Sequence, residues 1–133
     1  MTESYLQDIL LPSMEAEFLE RAQWPMPVET AAGEIRLSMP LQEAILCCVR
    51  LLSRQGRLID APEEAPQPAV CTFVSGKLSS CLLVCSIEQT DVTEVRVTVC
   101  AAAGILPRPG LARRKADEVI KSLILENRKE KRA

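Results

Sequence analysis

The chain has 133 residues, of which 47% are hydrophobic and 26% charged, with a formal net charge of −2. That balance is ordinary for one globular domain and excludes a disordered or low-complexity chain. There is no histidine, which removes the usual base for a Ser or Cys nucleophile.

Charge is unevenly distributed along the chain. Residues 1–66 carry 5 basic against 11 acidic side chains, and residues 67–133 carry 11 against 7. The asymmetry favours self-association or a charged protein partner over nucleic acid, unless the two halves interleave in space. The aromatic set is small: Tyr5, Phe18, Trp24 and Phe73. The expected core is therefore Leu, Val, Ile, Ala and Cys.

In chain order, residues 1–30 form an N-terminal helical segment. Pro12 is expected to divide it into an opening turn up to Leu11 and a helix from Ser13 to Gln23, because a helix interior does not tolerate proline. The stretch Pro25-Met26-Pro27 stops the helix. From Gly33 to Met39, Ile35, Leu37 and Met39 alternate with Glu34, Arg36 and Ser38, as in a half-buried strand. Pro40 opens a helix over Leu41–Gln55, whose apolar stripe is Leu41, Ala44, Ile45, Cys48, Val49 and Leu52, and Gly56 ends it.

Arg57–Asp60 reads as a short strand, followed by a Pro-rich loop over Ala61–Pro68. Val70–Val74 and the two runs after it form a meander. Cys81, Leu83, Cys85 and Ile87 share one face of the second strand, and Val95, Val97, Val99 and Ala101 one face of the third. The opposite faces carry Ser86, Glu88, Arg96 and Thr98, so one side of the sheet is expected to be wetter. Ser75-Gly76-Lys77 and Gln89-Thr90-Asp91-Val92 are the turns. After a loop over Gly104–Gly110 containing Pro107 and Pro109, the last helix runs from Leu111 to Glu126 on Ala112, Ala116, Val119, Ile120, Leu123 and Ile124. Residues 127–133 form a polar tail.

These elements define an α+β domain over residues 31–126. It is a two-layer sandwich: an antiparallel sheet of four to five strands carries two helices on one face, and the N-terminal helix is an addition. Met39-Pro40-Leu41 at a helix start, Leu51–Gly56 at its end and Asp91–Val97 in the meander resemble a layout of small bacterial α+β domains of unknown function. The resemblance covers about two thirds of the chain, from Gly33 to Leu125. It implies the sandwich and carries no reaction and no functional residue.

Chemistry-bearing candidates are few. Ser75, Lys77, Ser79 and Ser80 sit in a hairpin turn; Glu63-Glu64 lie in a loop and Asp117-Glu118 on a helix exterior. Each reads as a solvated surface, so no catalytic residue is expected. Cys81 and Cys85, with Cys71 or Cys100, are the nearest metal set. Strand residues four apart stand about 13 Å apart and do not converge on one ion. Neither metal nor cofactor is expected, and the six cysteines read as buried free thiols. No signal peptide and no spanning helix is evident, which places the chain in the cytoplasm.

Two surfaces stand out. Arg108, Arg113, Arg114 and Lys115 surround the start of the last helix, where positive charge opposes the helix dipole and can mark an anion or partner site. Tyr5, Leu6, Ile9, Leu10, Phe18 and Trp24, with Leu82 and Val84 of the sheet, form a candidate interface. The segment that carries the first six either covers the sheet's open face or docks on another copy. The leading expectation is a non-enzymatic homodimeric domain acting through protein–protein contact, of the adaptor or chaperone kind. Alternatives are a module for an apolar small molecule lined by Met39, Cys48, Leu83 and Ile120, and anion or nucleic-acid binding at residues 108–115.

Overall fold

A computed structural model describes residues 1–23, 27–76, 79–106 and 109–132, side chains to 129. The sequence-predicted positions Trp24, Lys77, Pro107 and Arg108 lie outside the described residues. One antiparallel sheet has five strands in the order β1-β5-β4-β3-β2. They are β1 (Val28–Leu37), β2 (Arg57–Ile59), β3 (Ala69–Val74), β4 (Cys81–Asp91) and β5 (Glu94–Gly104). Helices α3 (Leu41–Gln55) and α4 (Leu111–Arg132) pack on one face. The α+β sandwich expected from the sequence is the observed fold.

The N-terminal segment is one continuous helical run, not two pieces parted at Pro12. It comprises α1 (Glu3–Tyr5), a π-helical stretch over Leu6–Leu10, and α2 (Leu11–Ala22). Leu11 N donates to Leu6 O, five residues back. This wider turn moves the preceding carbonyls out of register just where the ring of Pro12 would meet one, so the helix passes through proline instead of breaking. Thr2 caps the start by accepting from Tyr5 N at 3.0 Å, and Gln23 ends the run in the left-handed region at φ 48°.

This run lies on the second face of the sheet. Leu6, Leu10, Leu11, Met14 and Phe18 are buried against Cys71, Leu82, Val84, Cys100 and Ala102. The wetter face expected from the meander is therefore dry along most of its length: Cys81–Ile87 is buried without interruption. Water reaches that face at the end bearing Glu34, Arg36, Glu88 and Glu94, and at the opposite edge, where Arg57 is exposed.

Other boundaries also move. Strand β1 starts at Val28, five residues before the expected Gly33, because Thr30-Ala31-Ala32 pairs with Ala102, Ala101 and Cys100 in turn. Small residues in both strands let helices approach closely; a Cβ on Gly33 would run into the Ile120 side chain of α4. Gly56 is needed for a close approach too, since a Cβ there would meet the backbone of Phe73. The turn between β4 and β5 is Val92-Thr93, flanked by the pair Asp91–Glu94 and a bulge near Gln89. Helix α4 continues through the expected polar tail to Arg132. Asn127 in that tail accepts from Ser38 N at 2.9 Å and ties the helix end to β1. No helix among the described residues is long and apolar enough to cross a membrane.

If the N-terminal run is an integral layer, Phe18→Ala lowers unfolding free energy by about 3–5 kcal/mol, the range for emptying a buried aromatic site. Urea unfolding measures it; a loss below about 1 kcal/mol would show the run to be dispensable.

Candidate functional site

The basic cluster at the start of α4 does not converge. Gly110 N and Ala112 N donate to Glu29 Oε1 of β1 at 2.7 and 3.3 Å. A carboxylate of the chain itself thus occupies the helix N-terminus, where negative charge is stabilised by the dipole and the unpaired N–H groups. Glu29 resolves the conflict that the sequence posed. Arg113 turns away, donating from Nη1 to Ala32 O at 3.0 Å, with Asp117 at 4.0 Å. Lys115 pairs with Glu118 at 3.6 Å, and Arg114 is exposed.

The candidate interface is largely interior. Leu6, Leu10, Phe18, Leu82 and Val84 are buried together within one chain. Tyr5 is half-buried and its hydroxyl donates to Glu64 O at 2.6 Å. Ile9 is exposed. Of the two ways to cover the open face, the fold uses the chain's own helix.

The candidate apolar pocket is likewise filled. Met39, Cys48 and Leu83 are buried in the core under α3 and α4, and Ile120 packs at its margin. Among the described residues, cavities of about 140, 490 and 380 Å³ are found, and these are not lined by the four residues. The smallest lies beside β1, between Ala32-Gly33-Glu34 and Thr2, Leu6 and Gln7 of the N-terminal run.

Of the other polar candidates, Ser80 and Glu64 are engaged in structure. Ser80 Oγ donates to Gly76 O at 2.7 Å and accepts from Gly76 N, pinning its turn. Ser13 Oγ donates to Glu64 Oε2 at 2.7 Å, which lowers the pKa of that carboxylate. All six cysteines are buried and free. Cys71 and Cys100 lie on the face under the N-terminal run, whereas Cys47, Cys48, Cys81 and Cys85 lie on the other, so the sheet separates the sulfurs expected to be nearest to a metal set.

The feature that sequence reasoning missed is the free edge of β1. Ile105 N donates to Pro27 O, so the odd-numbered residues of β1 make the ladder bonds to β5 and the even-numbered ones point their N–H and C=O groups outward. Helix α4 holds this row at two points: Arg113 donates to Ala32 O and Asn127 accepts from Ser38 N, with Val28 and Thr30 lying beyond the first. Between these contacts lies Glu34–Arg36, with half-buried Ile35 and Ile120 and exposed Ile124 on the α4 side. The opposite edge is blunt: β2 has three residues, followed by a loop with Pro62, Pro66 and Pro68. The alternating Glu34 and Arg36 are the sequence signal for an edge, since charge is the common way to guard one.

The charges beside this edge are imperfectly paired. Arg36 stands directly opposite Arg96 across β1 and β5, an unfavourable arrangement. Arg96 Nε lies 3.3 Å from Glu34 Oε1 without making a hydrogen bond, and its Nη1 is 3.8 Å from Glu88. Arg36 reaches Glu94 at 3.5 Å.

Comparison of the chain with protein-family models, curated proteins and solved structures returns no match.

Two outcomes follow. Glu29→Gln removes the charge from the α4 cap and lowers stability by about 1 kcal/mol, read from the urea midpoint at constant slope. An unchanged midpoint would show the cap to be idle. The second concerns the thiols. Burial pushes Cys71, Cys81 and Cys100 from an ordinary 9.0 up to about 12. Cys85, hydrogen-bonded to Cys48 and desolvated, is raised as well. The folded state therefore keeps these protons after the unfolded chain has lost them. Their stabilisation is complete below the unfolded value and is lost as pH rises towards 12, at about 1.4 kcal/mol per thiol per pH unit. Urea midpoints should fall steeply above pH about 9, and less steeply in Cys100→Ala. Equal slopes in the two proteins would remove the thiol from the account.

Proposed function

We propose that this chain is a small non-enzymatic α+β domain that works through protein–protein contact, of the adaptor or chaperone kind, and that it self-associates. One observation carries the reading: a sheet sealed by helices on both faces retains a ten-residue edge strand, uncapped over Glu34–Arg36 and flanked by exposed apolar surface. Unpaired strand groups are a template for another chain, because each outward N–H and C=O gains a partner when a strand is added. The engaged states of Ser80, Glu64 and the six buried thiols support the non-enzymatic part, since those side chains already serve a turn, a loop contact and the core. The cytoplasm, with its reduced thiols, is a compartment consistent with six free cysteines.

Light scattering coupled to size exclusion tests this directly. The expected mass is twice the 14.7 kDa of the chain. A monomer at all concentrations up to about 100 μM, where even weak specific pairs form, would remove self-association.

A further inference from the structure

We infer that the occupant of the β1 edge is β1 of a second copy, paired antiparallel about a two-fold axis through Ile35, so that two five-stranded sheets become one of ten. The inference rests on the self-association reading above and specifies its interface.

Four observations point to this register. First, the stretch of the outward row between the Arg113 and Asn127 contacts, from Ala32 to Ser38, is centred on Ile35, and Val28 and Thr30 lie outside it. In an antiparallel pair, outward residues face outward residues. An axis at Ile35 sets Glu34 opposite Arg36 of the second copy, and Arg36 opposite its Glu34. Each of the two pairs exchanges two backbone hydrogen bonds, and neither contact need be displaced.

Second, the charges are self-complementary in this register. Arg36, which faces Arg96 within its own chain, gains a carboxylate on its open side. Glu34 and Arg36 are about half and two-thirds exposed, at 51% and 65%, so each keeps an open side for a partner beside its pairing with Arg96 and Glu94 of β5. Opposite charges directly across a ladder stabilise it, and like charges oppose it.

Third, the other side of the ladder is apolar. Odd residues of β1 face α4: Ala31 and Leu37 are in the core there, and Ile35 packs at its margin with Ile120. The axis brings Ile35 against Ile35 of the second copy, beneath Ile120 and the exposed Ile124.

Fourth, the helices fit. The Arg113 and Asn127 contacts show that α4 runs alongside β1, since residues 113–127 of the helix span about 21 Å and residues 32–38 of the strand about 20 Å. Helix α4 lies over β1 and β5. With strands about 4.8 Å apart, its axis stands about 5 Å from the two-fold, so two copies lie about 10 Å apart, the packing distance of helices.

Charge reversal on full-length chains tests the register. Arg36→Glu leaves two glutamates on each edge, and Glu34→Arg leaves two arginines. Each variant alone should be monomeric where the wild type is dimeric, with association weakened roughly tenfold or more. Mixed together, they should form a one-to-one heterodimer by native mass spectrometry, because each edge then meets its complement. Circular dichroism melts confirm that each is folded; should either fail to fold, Ile124→Glu on the helix surface is expected to give the same loss. A dimeric wild type whose variants also remain dimeric overturns the β1 edge but leaves self-association standing. A monomeric wild type overturns both, and leaves the edge to an extended segment of another protein.

Discussion

The structure depends on burial of the sheet from both sides. Strands β4 and β5 are central in the ladder and lie beneath helices above and below, so every main-chain group along Cys81–Ile87 and Val97–Gly104 must bond to a neighbouring strand, and every side chain must be apolar or locally satisfied. Thr72 and Ser86 meet the demand by donating to carbonyls of the adjoining β2 strand and the Pro-rich loop. The composition follows from the same constraint. Ala101-Ala102-Ala103 leaves room for helices to approach from both sides, and cysteine fills gaps with a small apolar side chain that leaves no polar group unpaired. Six free thiols are then a packing device.

Much of the fold was legible locally. Helix α3 starts and ends where its apolar stripe, Pro40 and Gly56 place it, and the period-two pattern of Val95–Ala101 is the observed inward face. What failed depended on contacts distant in sequence. Leu82 and Val84 were expected beneath the N-terminal segment, but nothing near them says whether the Leu10, Met14 and Phe18 that cover them belong to the same chain or to another copy. Thr30-Ala31-Ala32-Gly33 has poor strand propensity and forms a strand because β5 pairs with it. Pro12 argues for a break by its own geometry, and the π-turn that admits it leaves no mark in composition. The basic cluster read as a site because Glu29, the carboxylate that completes the helix cap, lies more than eighty residues away.

Ion pairs connect the two halves of the chain. Arg36 pairs with Glu94, Arg50 with Glu126 and Arg96 with Glu34, each joining the acidic first half to the second. The charge asymmetry nevertheless persists in space: the N-terminal run, with five acidic and one basic side chain over residues 1–23, and α4, with six basic and three acidic over residues 111–129, lie on opposite faces of the sheet. These pairs are exposed on at least one side and contribute little to stability individually. Their effect is positional: Arg50–Glu126 links the two helices of one layer, and the Glu34–Arg96 and Arg36–Glu94 pairs hold charge along the edge strand.

That placement separates two uses of charge on a strand edge. An edge that must stay single is best guarded by like charges on successive outward positions, because any antiparallel copy then meets its own sign. Glu34 and Arg36 have opposite signs two residues apart, the one pattern for which a two-fold about the intervening residue turns repulsion into attraction on both sides at once. The same pair rejects a copy slipped by two residues, which would set Glu34 against Glu34 or Arg36 against Arg36. Edge charge here therefore discriminates among registers. Ile35 between them, apolar and half-buried, supplies the contact that a merely defensive edge would omit.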